Sequence, residues 1–318
     1  MSSTEPTPDT AETPWQGARL DLDAYLTRIG YDGPRTATRQ TLFDVYRAHL
    51  TTIPFENFEI MLGRPVLLDL PALQDKLVRR RRGGYCYEHV LLLAAALEAL
   101  GFSPRGLHAR VSLGARRTLP ATHALLAVPA AEVPGGPVRT WLCDVGFGSG
   151  PLTPPELVDG AEVSTGGWWF RLERTPDPCG TDLWTLYDGG EDGRRNEDGR
   201  LDRHRFTLAP HHAVDYEVGS HYVSTHPRSP FVTRPFAQKF TAEAAYRIDG
   251  TAWSVRRPDG SVVTTEVTSD DLPGILERLG IVLDPADVAR LQDMVKPSAQ
   301  GAEGTSVRAV GVPLSPEG

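Results

Sequence analysis

One run constrains this chain more than any other: EHVLLLAAALEAL, residues 88–100, closed by Gly101. On a pitch of 3.6 residues its apolar side chains occupy nearly every side rather than one stripe. A helix of that kind has no face to offer water, so it must lie in the middle of the protein with other elements wrapped around it. Gly101 is a good stop, because glycine takes the left-handed conformation that ends many helices. The start falls near Tyr85, directly after Gly83 and Gly84. With 318 residues the chain can pack two or three subdomains around such a helix.

The segments before it are helical in pattern. LDAYLTRIGY has apolar residues at helical spacing, residues 36–53 form a longer amphipathic candidate ended by Pro54, and LPALQDKLVRR is a third. After Gly101 the period shifts towards two. RGLHARVSL, THALLAV, RTWLCDV, WWFRLER and DLWTLYD read as strands separated by Gly and Pro clusters, as in an antiparallel sheet or small barrel. PAAEVPGGP and DGGEDGRRNEDG read as surface loops. Beyond residue 214, AYRIDG, AWSVRRPDG and SVVTTEV resemble a hairpin series, and LPGILERLGI and DPADVARLQDMV resemble helices. Residues 1–16, rich in Thr, Pro and acid, are expected to be a disordered tail, and residues 297–318 a flexible one.

Charge and cysteine usage exclude several functions. A net charge of −8 argues against nucleic acid, whose phosphates call for an excess of Lys and Arg. Basic residues cluster locally at 79–82 and at Arg116 and Arg117, which suits either a small anionic ligand or plain solvated surface. The three cysteines are widely spaced without a CxxC, so no disulfide framework is expected. The N-terminus lacks the pattern of a signal peptide, and no apolar run approaches the ~18 residues of a membrane span. A cytoplasmic protein is the expectation. His211, His212, His221 and His226 are not at zinc-site spacing, so loop or solvated roles are expected and no metal.

The chemistry gathers at Cys86, in RRRGGYCYEHV. One reading makes it a small core residue, since free cysteine is among the most buried types. The other makes it a nucleophile. At a helix N-terminus the unsatisfied N–H groups and the dipole favour a thiolate, Arg82 and its neighbours add positive charge, and the Gly pair lets the backbone turn and leaves the sulfur accessible. Such a nucleophile needs a base and the base an orienting group. His123 alternates with Leu125 and Ala127 and so points inward, which fits a base or a satisfied core histidine. Asp144 ends the apolar strand WLCDV, where a carboxylate must be paired, and an imidazolium would pair it. Arg82 and Glu88 are expected to be structural. GFGSG, residues 146–150, reads as a turn rather than a phosphate loop, since it lacks the Lys of a P-loop.

These residues carry a resemblance to the arylamine N-acetyltransferase family. RGGYCYE is similar to its cysteine motif, THALLAV to its histidine strand, and CDVGFG to its aspartate motif. IPFENFEI, LDAYLTRIGYDGPRTAT and STHPRSPF are similar to further segments, and the likeness spans residues 20–295. The resemblance implies an α+β fold with a cysteine-protease/transglutaminase-like core. A helical bundle over 17–101 would carry the cysteine, an antiparallel β-barrel over 102–213 the His and Asp, and an α/β lid would cover 214–296. It implies a catalytic triad of Cys86, His123 and Asp144, a substrate cleft at Phe55, Thr122, Phe147 and Phe231, and cofactor contacts at Thr122, Gly146 and Gly148. The implied donor is acetyl-CoA, without a metal, and the implied acceptor an arylamine or hydrazine. Where the family motif usually has Asn, this chain has Val90. That departure keeps open an amide synthase of the same fold, acting on a longer acyl thioester. A cysteine hydrolase or cross-linking enzyme shares the triad logic, and a non-catalytic binding protein on the same scaffold is the last alternative.

Overall fold

The computed structural model describes residues 13–176, 180–189 and 199–295. Helix α1 (Leu22–Ile29) is capped by the Asp21 carboxylate, which accepts from the Ala24 N–H at 3.1 Å, and closed by Gly30 at φ 70°. Thr38 caps α2 (Arg39–Thr52), and Pro54 stands directly beyond its last cap. A two-residue strand β1 (Phe55–Glu56) and a single turn α3 (Phe58–Met61) follow. The segment LPALQDKLVRR begins as helix α4 (Leu70–Leu73) and widens into π-helical turns over Gln74–Arg79. Helix α5 (Cys86–Ala99) is the buried one, with every residue from Cys86 to Leu97 buried. The π turns set the spacing to α5, for Arg82 N–H reaches back to the Lys76 carbonyl at 3.0 Å.

Seven antiparallel strands curl into a half-barrel. They are β2 (Arg105–Val111), β3 (His123–Ala131), β4 (Val138–Cys143), β5 (Glu162–Thr165), β6 (Trp168–Pro176), β7 (Asp182–Asp188) and β8 (Leu201–Phe206), in the order β4-β3-β2-β8-β7-β6-β5. Helix α5 packs on β3, whose residues are buried on both faces from His123 to Val128. Strand β8 has no counterpart in the periodicity reading, because LDRHRF carries charge or imidazole at four of six positions. It nonetheless sits inside the sheet between β2 and β7, with Asp202, Arg203 and His204 buried.

After α6 (Ala213–Thr225) the chain forms β9 (Phe236–Phe240), β10 (Ala245–Asp249), β11 (Ala252–Arg256) and β12 (Val262–Glu266), and ends in α7 (Leu272–Leu279) and α8 (Pro285–Met294). This second sheet begins with β1, in the order β1-β9-β10-β11-β12, so a strand from the helical N-terminal part pairs with one some 180 residues later: Phe55 opposite Gln238 and Glu56 opposite Ala237. Arg64 forks onto Asp287 and ties α8 to the loop after α3.

The expected disorder through residue 16 lies outside the described residues up to residue 12. From Thr13 the chain is packed. Trp15 is buried with its indole N–H on the Pro104 carbonyl at 2.9 Å, and Glu98 accepts from Trp15 and Gly17 N–H groups. One large aromatic with a polar handle is enough to anchor such a segment. Cys179, the tail 297–318 and most of the loop DGGEDGRRNEDG also fall outside the described residues.

Candidate active site

Cys86 opens α5, and the way the sequence holds it there differs from the sequence expectation in two respects. Gly83 and Gly84 do not take the left-handed region, so they are not there to make a tight turn. They are there for close approach: a Cβ on Gly83 would stand 2.1 Å from the Pro54 carbonyl oxygen, and one on Gly84 2.7 Å from Glu88. That approach straps the IPFEN segment to the cysteine turn, with Glu56 N–H donating to the Gly84 carbonyl at 2.8 Å. The left-handed residue is Arg81, at φ 53°.

Arg82 does not lend its charge to the sulfur. It is 1% exposed and committed to two carboxylates, donating to Glu56 from Nε (3.0 Å) and Nη2 (2.7 Å) and to Glu59 from Nη1 (2.8 Å). Burial would push the Glu56 carboxyl up, yet Lys76 and Arg82 hold it below the ordinary range. Glu88 accepts from the Tyr85 N–H at 3.0 Å and from Lys76 Nζ at 2.7 Å, and burial raises its pKa in spite of them. It closes the first turn of the cysteine helix.

His123 begins β3 and Asp144 follows β4, and neighbouring antiparallel strands bring them together: His123 Nε2 lies 3.0 Å from Asp144 Oδ1, both nearly inaccessible. The imidazole also hydrogen-bonds with Cys86, whose Sγ lies 3.6 Å from the Thr122 carbonyl oxygen. Burial disfavours a charge on His123, but the Asp144 carboxylate and the hydrogen bonds the ring makes to Asp144 and Cys86 outweigh it and raise its pKa to about 10. Burial likewise favours neutral Asp144, and the His123 charge and hydrogen bond, with His204 and Arg203, hold it below the usual carboxylate range. The arrangement can therefore keep an imidazolium beside a sulfur at neutral pH, with a carboxylate fixing the ring.

A cleft of about 610 Å³ opens beside the three groups, with Cys86 and His123 on its wall. Thr122, Phe147, Phe55 and Phe231 all line it. Phe55 packs against Phe231 with ring centres 5.5 Å apart, and Phe147 meets His123 edge-on at 5.3 Å. Of the glycines expected at a cofactor, Gly146 lines the cleft while Gly148 does not: at φ 80° it lies against Phe55. Gly146 also touches the Cys86 turn, since a Cβ there would be 2.8 Å from Cys86 Cα, and its N–H donates to Asp144 at 3.2 Å. Val90 is fully buried in α5 and is not among the residues lining the cleft, so it does not widen it.

Several residues were not singled out from sequence. Asn57 staples the aromatic wall, donating to the Phe231 and Arg234 carbonyls at 2.9 Å each and accepting from Phe236 N–H at 2.8 Å. Arg203 fixes the loop after Asp144: it reaches the Ser149 carbonyl at 2.7 Å and Asp188 at 2.6 Å and lies 4.1 Å from the centre of the Phe147 ring. His204 stands beside Asp144, its ring 5.1 Å from that of His123. The signal for the last two was in LDRHRF, where a run of charge flanked by Leu and Phe fits a strand only if its polar groups face a polar interior.

The model of an N-acetyltransferase family matches residues 38–288. The chain is 40% identical over 270 residues to the arylamine N-acetyltransferase of Mycolicibacterium smegmatis, covering 83% of this chain and 93% of that protein. Among solved structures it is similar to the Nocardia farcinica arylamine N-acetyltransferase, with a TM-score of 0.82 and 50% identity over 90% of this chain and 98% of that one. It is also similar to the Mycobacterium marinum arylamine N-acetyltransferase in complex with CoA, with a TM-score of 0.75 and 34% identity over 86% of this chain and 99% of that one.

Proposed function

The chain belongs to the arylamine N-acetyltransferase family, and from that premise we propose that Cys86, His123 and Asp144 carry the acetyl group from acetyl-CoA to an aromatic amine. The observation that supports these three residues is that Cys86 and His123 share one cleft wall, with the buried Asp144 carboxylate holding the imidazole from behind. The cleft itself fits the donor: it is open, reaches Cys86, and includes Thr122 and Gly146 on its wall.

In the first half-reaction the Cys86 thiolate attacks the thioester carbonyl carbon. The new C–S bond to Cys86 forms as the bond to the donor sulfur breaks, and His123 gives its proton to the departing thiolate. Exchange of one thioester for another is nearly neutral in energy, so the acetyl group remains activated on Cys86. In the second, an unprotonated aromatic amine attacks the acetyl-cysteine. Neutral His123 takes the proton from nitrogen as the amide forms, and Cys86 leaves as thiolate, restoring the starting pair. Asp144 keeps the imidazole oriented and stabilises its charge. Backbone N–H groups at the start of α5 are suited to hold the oxyanion, where one donor contributes roughly 3–4 kcal/mol. Phe55, Phe147 and Phe231 supply an aromatic wall for the acceptor ring. A hydrazine nitrogen, also uncharged at neutral pH, is the second acceptor class for the same cleft.

Intact-mass analysis after brief exposure to acetyl-CoA tests the proposal. One acetyl adduct is expected, absent in Cys86→Ser and discharged by added aminobenzoate or hydrazine. An adduct that persists in Cys86→Ser would remove the nucleophile from the scheme.

A further inference from the structure

Strand β8 delivers a residue that acyl transfer does not use. His204 is fully buried, and neither of its ring nitrogens has a hydrogen-bond partner among the described residues. A buried polar group left so costs about 1–3 kcal/mol, and the site next to it is rich in ligand atoms. Nε2 of His204 lies 3.6 Å from Asp144 Oδ2, while Oδ1 of the same carboxylate takes His123 at 3.0 Å. One ligand atom from each of His123, Asp144 and His204 falls within 4.8 Å of the other two.

Two imidazoles and a carboxylate with an open fourth position are a zinc-type donor set. Ligands about 2.0–2.2 Å from a tetrahedral ion stand roughly 3.3–3.5 Å from one another. The contact of His123 with Oδ1 at 3.0 Å and of His204 with Oδ2 at 3.6 Å bracket that spacing, and the ligand atoms of the two imidazoles lie within 4.8 Å of each other. His123 lines the cleft while Asp144 and His204 lie buried behind it, so an ion would enter from the cleft side, past His123 and shedding water as it goes. We propose that His123, Asp144 and His204 form an inhibitory site for a borderline transition-metal dication, with Zn²⁺ as the type. Its occupancy replaces the His123–Asp144 hydrogen bond and withdraws the imidazole from service to Cys86. The inhibitory half of the inference rests on His123 acting as the base proposed above, and the binding half does not.

Cobalt(II) is the probe, because its visible absorption reports coordination number and thiolate ligation separately. The metal-free full-length chain is expected to bind one Co²⁺, with the absorption of a tetrahedral nitrogen- and oxygen-ligated ion and no thiolate charge-transfer band. Zn²⁺ displaces it, Cys86→Ser still binds, and His204→Phe binds at least about tenfold more weakly. Acetyl transfer falls as Zn²⁺ is added and returns with a chelator. In His204→Phe, measured against its own uninhibited rate, half-inhibition moves by the same factor. If His204→Phe does not fold, His204→Gln gives the same comparison with a polar side chain of similar reach. A thiolate band that disappears in Cys86→Ser would assign the ion to the sulfur and overturn the site, as would unchanged cobalt binding without His204. Stoichiometric binding with full activity would overturn the inhibitory role and count against His123 as base, while the acetyl-adduct experiment would still report on Cys86.

Discussion

Replacing Arg82 by Met keeps the length of the side chain and removes its charge. In the wild type that charge answers Glu56, which is fully buried, and Glu59. After the change Glu56 retains the Phe58 N–H at 2.6 Å and Lys76 at 3.9 Å, neither of which replaces a forked guanidinium. Breaking one side of a buried pair costs about 3–5 kcal/mol. For a fold of this size 1 kcal/mol moves the melting temperature by about 2–4 °C, so Arg82→Met is expected to melt about 6–20 °C below wild type. Glu56→Gln in the same background removes the stranded carboxylate and is expected to restore part of the loss. Calorimetry on the two single variants and the double variant measures the coupling. Because Arg82 serves the carboxylates and not the sulfur, alkylation of Cys86 by iodoacetamide is expected to keep its wild-type rate at a temperature where both proteins are folded. A melting temperature within about 2 °C of wild type, or a slowed alkylation of the folded variant, would refute the reasoning.

Gly146→Ala places a methyl group against the backbone of Cys86, and a displacement approaching 1 Å at a reacting centre costs about 100-fold; single-turnover acetylation is expected to slow by that factor while circular dichroism stays native. Gly219→Ala sets a Cβ 2.0 Å from the Tyr87 hydroxyl, so α6 must lift from the cysteine helix, and chemical denaturation is expected to show a loss of about 1–3 kcal/mol. The pKa of His123 is raised from 6.5 to about 10, so its charge stabilises the native state fully below pH 6.5, and that contribution is lost as pH rises through 10. The melting-temperature advantage of wild type over His123→Gln is therefore expected to be largest near pH 6 and to disappear by about pH 10.

The fold and the three candidate catalytic residues are legible to different degrees, for physical reasons. A helix without a polar side announces its own burial, and α5 lies where its composition requires. His123 and Asp144 could be paired because each is polar on an apolar strand and each needs a partner. The structural role expected of Arg82 agrees with its place in the fold, but its partners are not legible, because sequence gives charge and not what consumes it; Glu56 and Glu59 are 26 and 23 residues away and reach Arg82 through the strap between Pro54 and Gly84. The Gly pair looks like turn chemistry, but its cause is close approach, of the Pro54 backbone to Gly83 and of the Glu88 side chain to Gly84, which local pattern does not encode. Strand β8 was missed because period-two reasoning looks for apolar residues facing in, and here Arg203 and His204 face a polar interior built by other strands.

The pairing of β1 with β9 also sets a timetable. The cysteine helix is complete once residue 99 has been added, but the aromatic wall opposite it needs the chain as far as Phe240. At synthesis rates of about 5–20 residues per second, the interval between Cys86 and Phe240 lasts roughly 8–30 s. During it the cleft beside Cys86 lacks the side formed by Phe231 and Phe236. A chain that stops short of β9 would leave β1 without its partner strand and that side of the cleft unbuilt for as long as it survives.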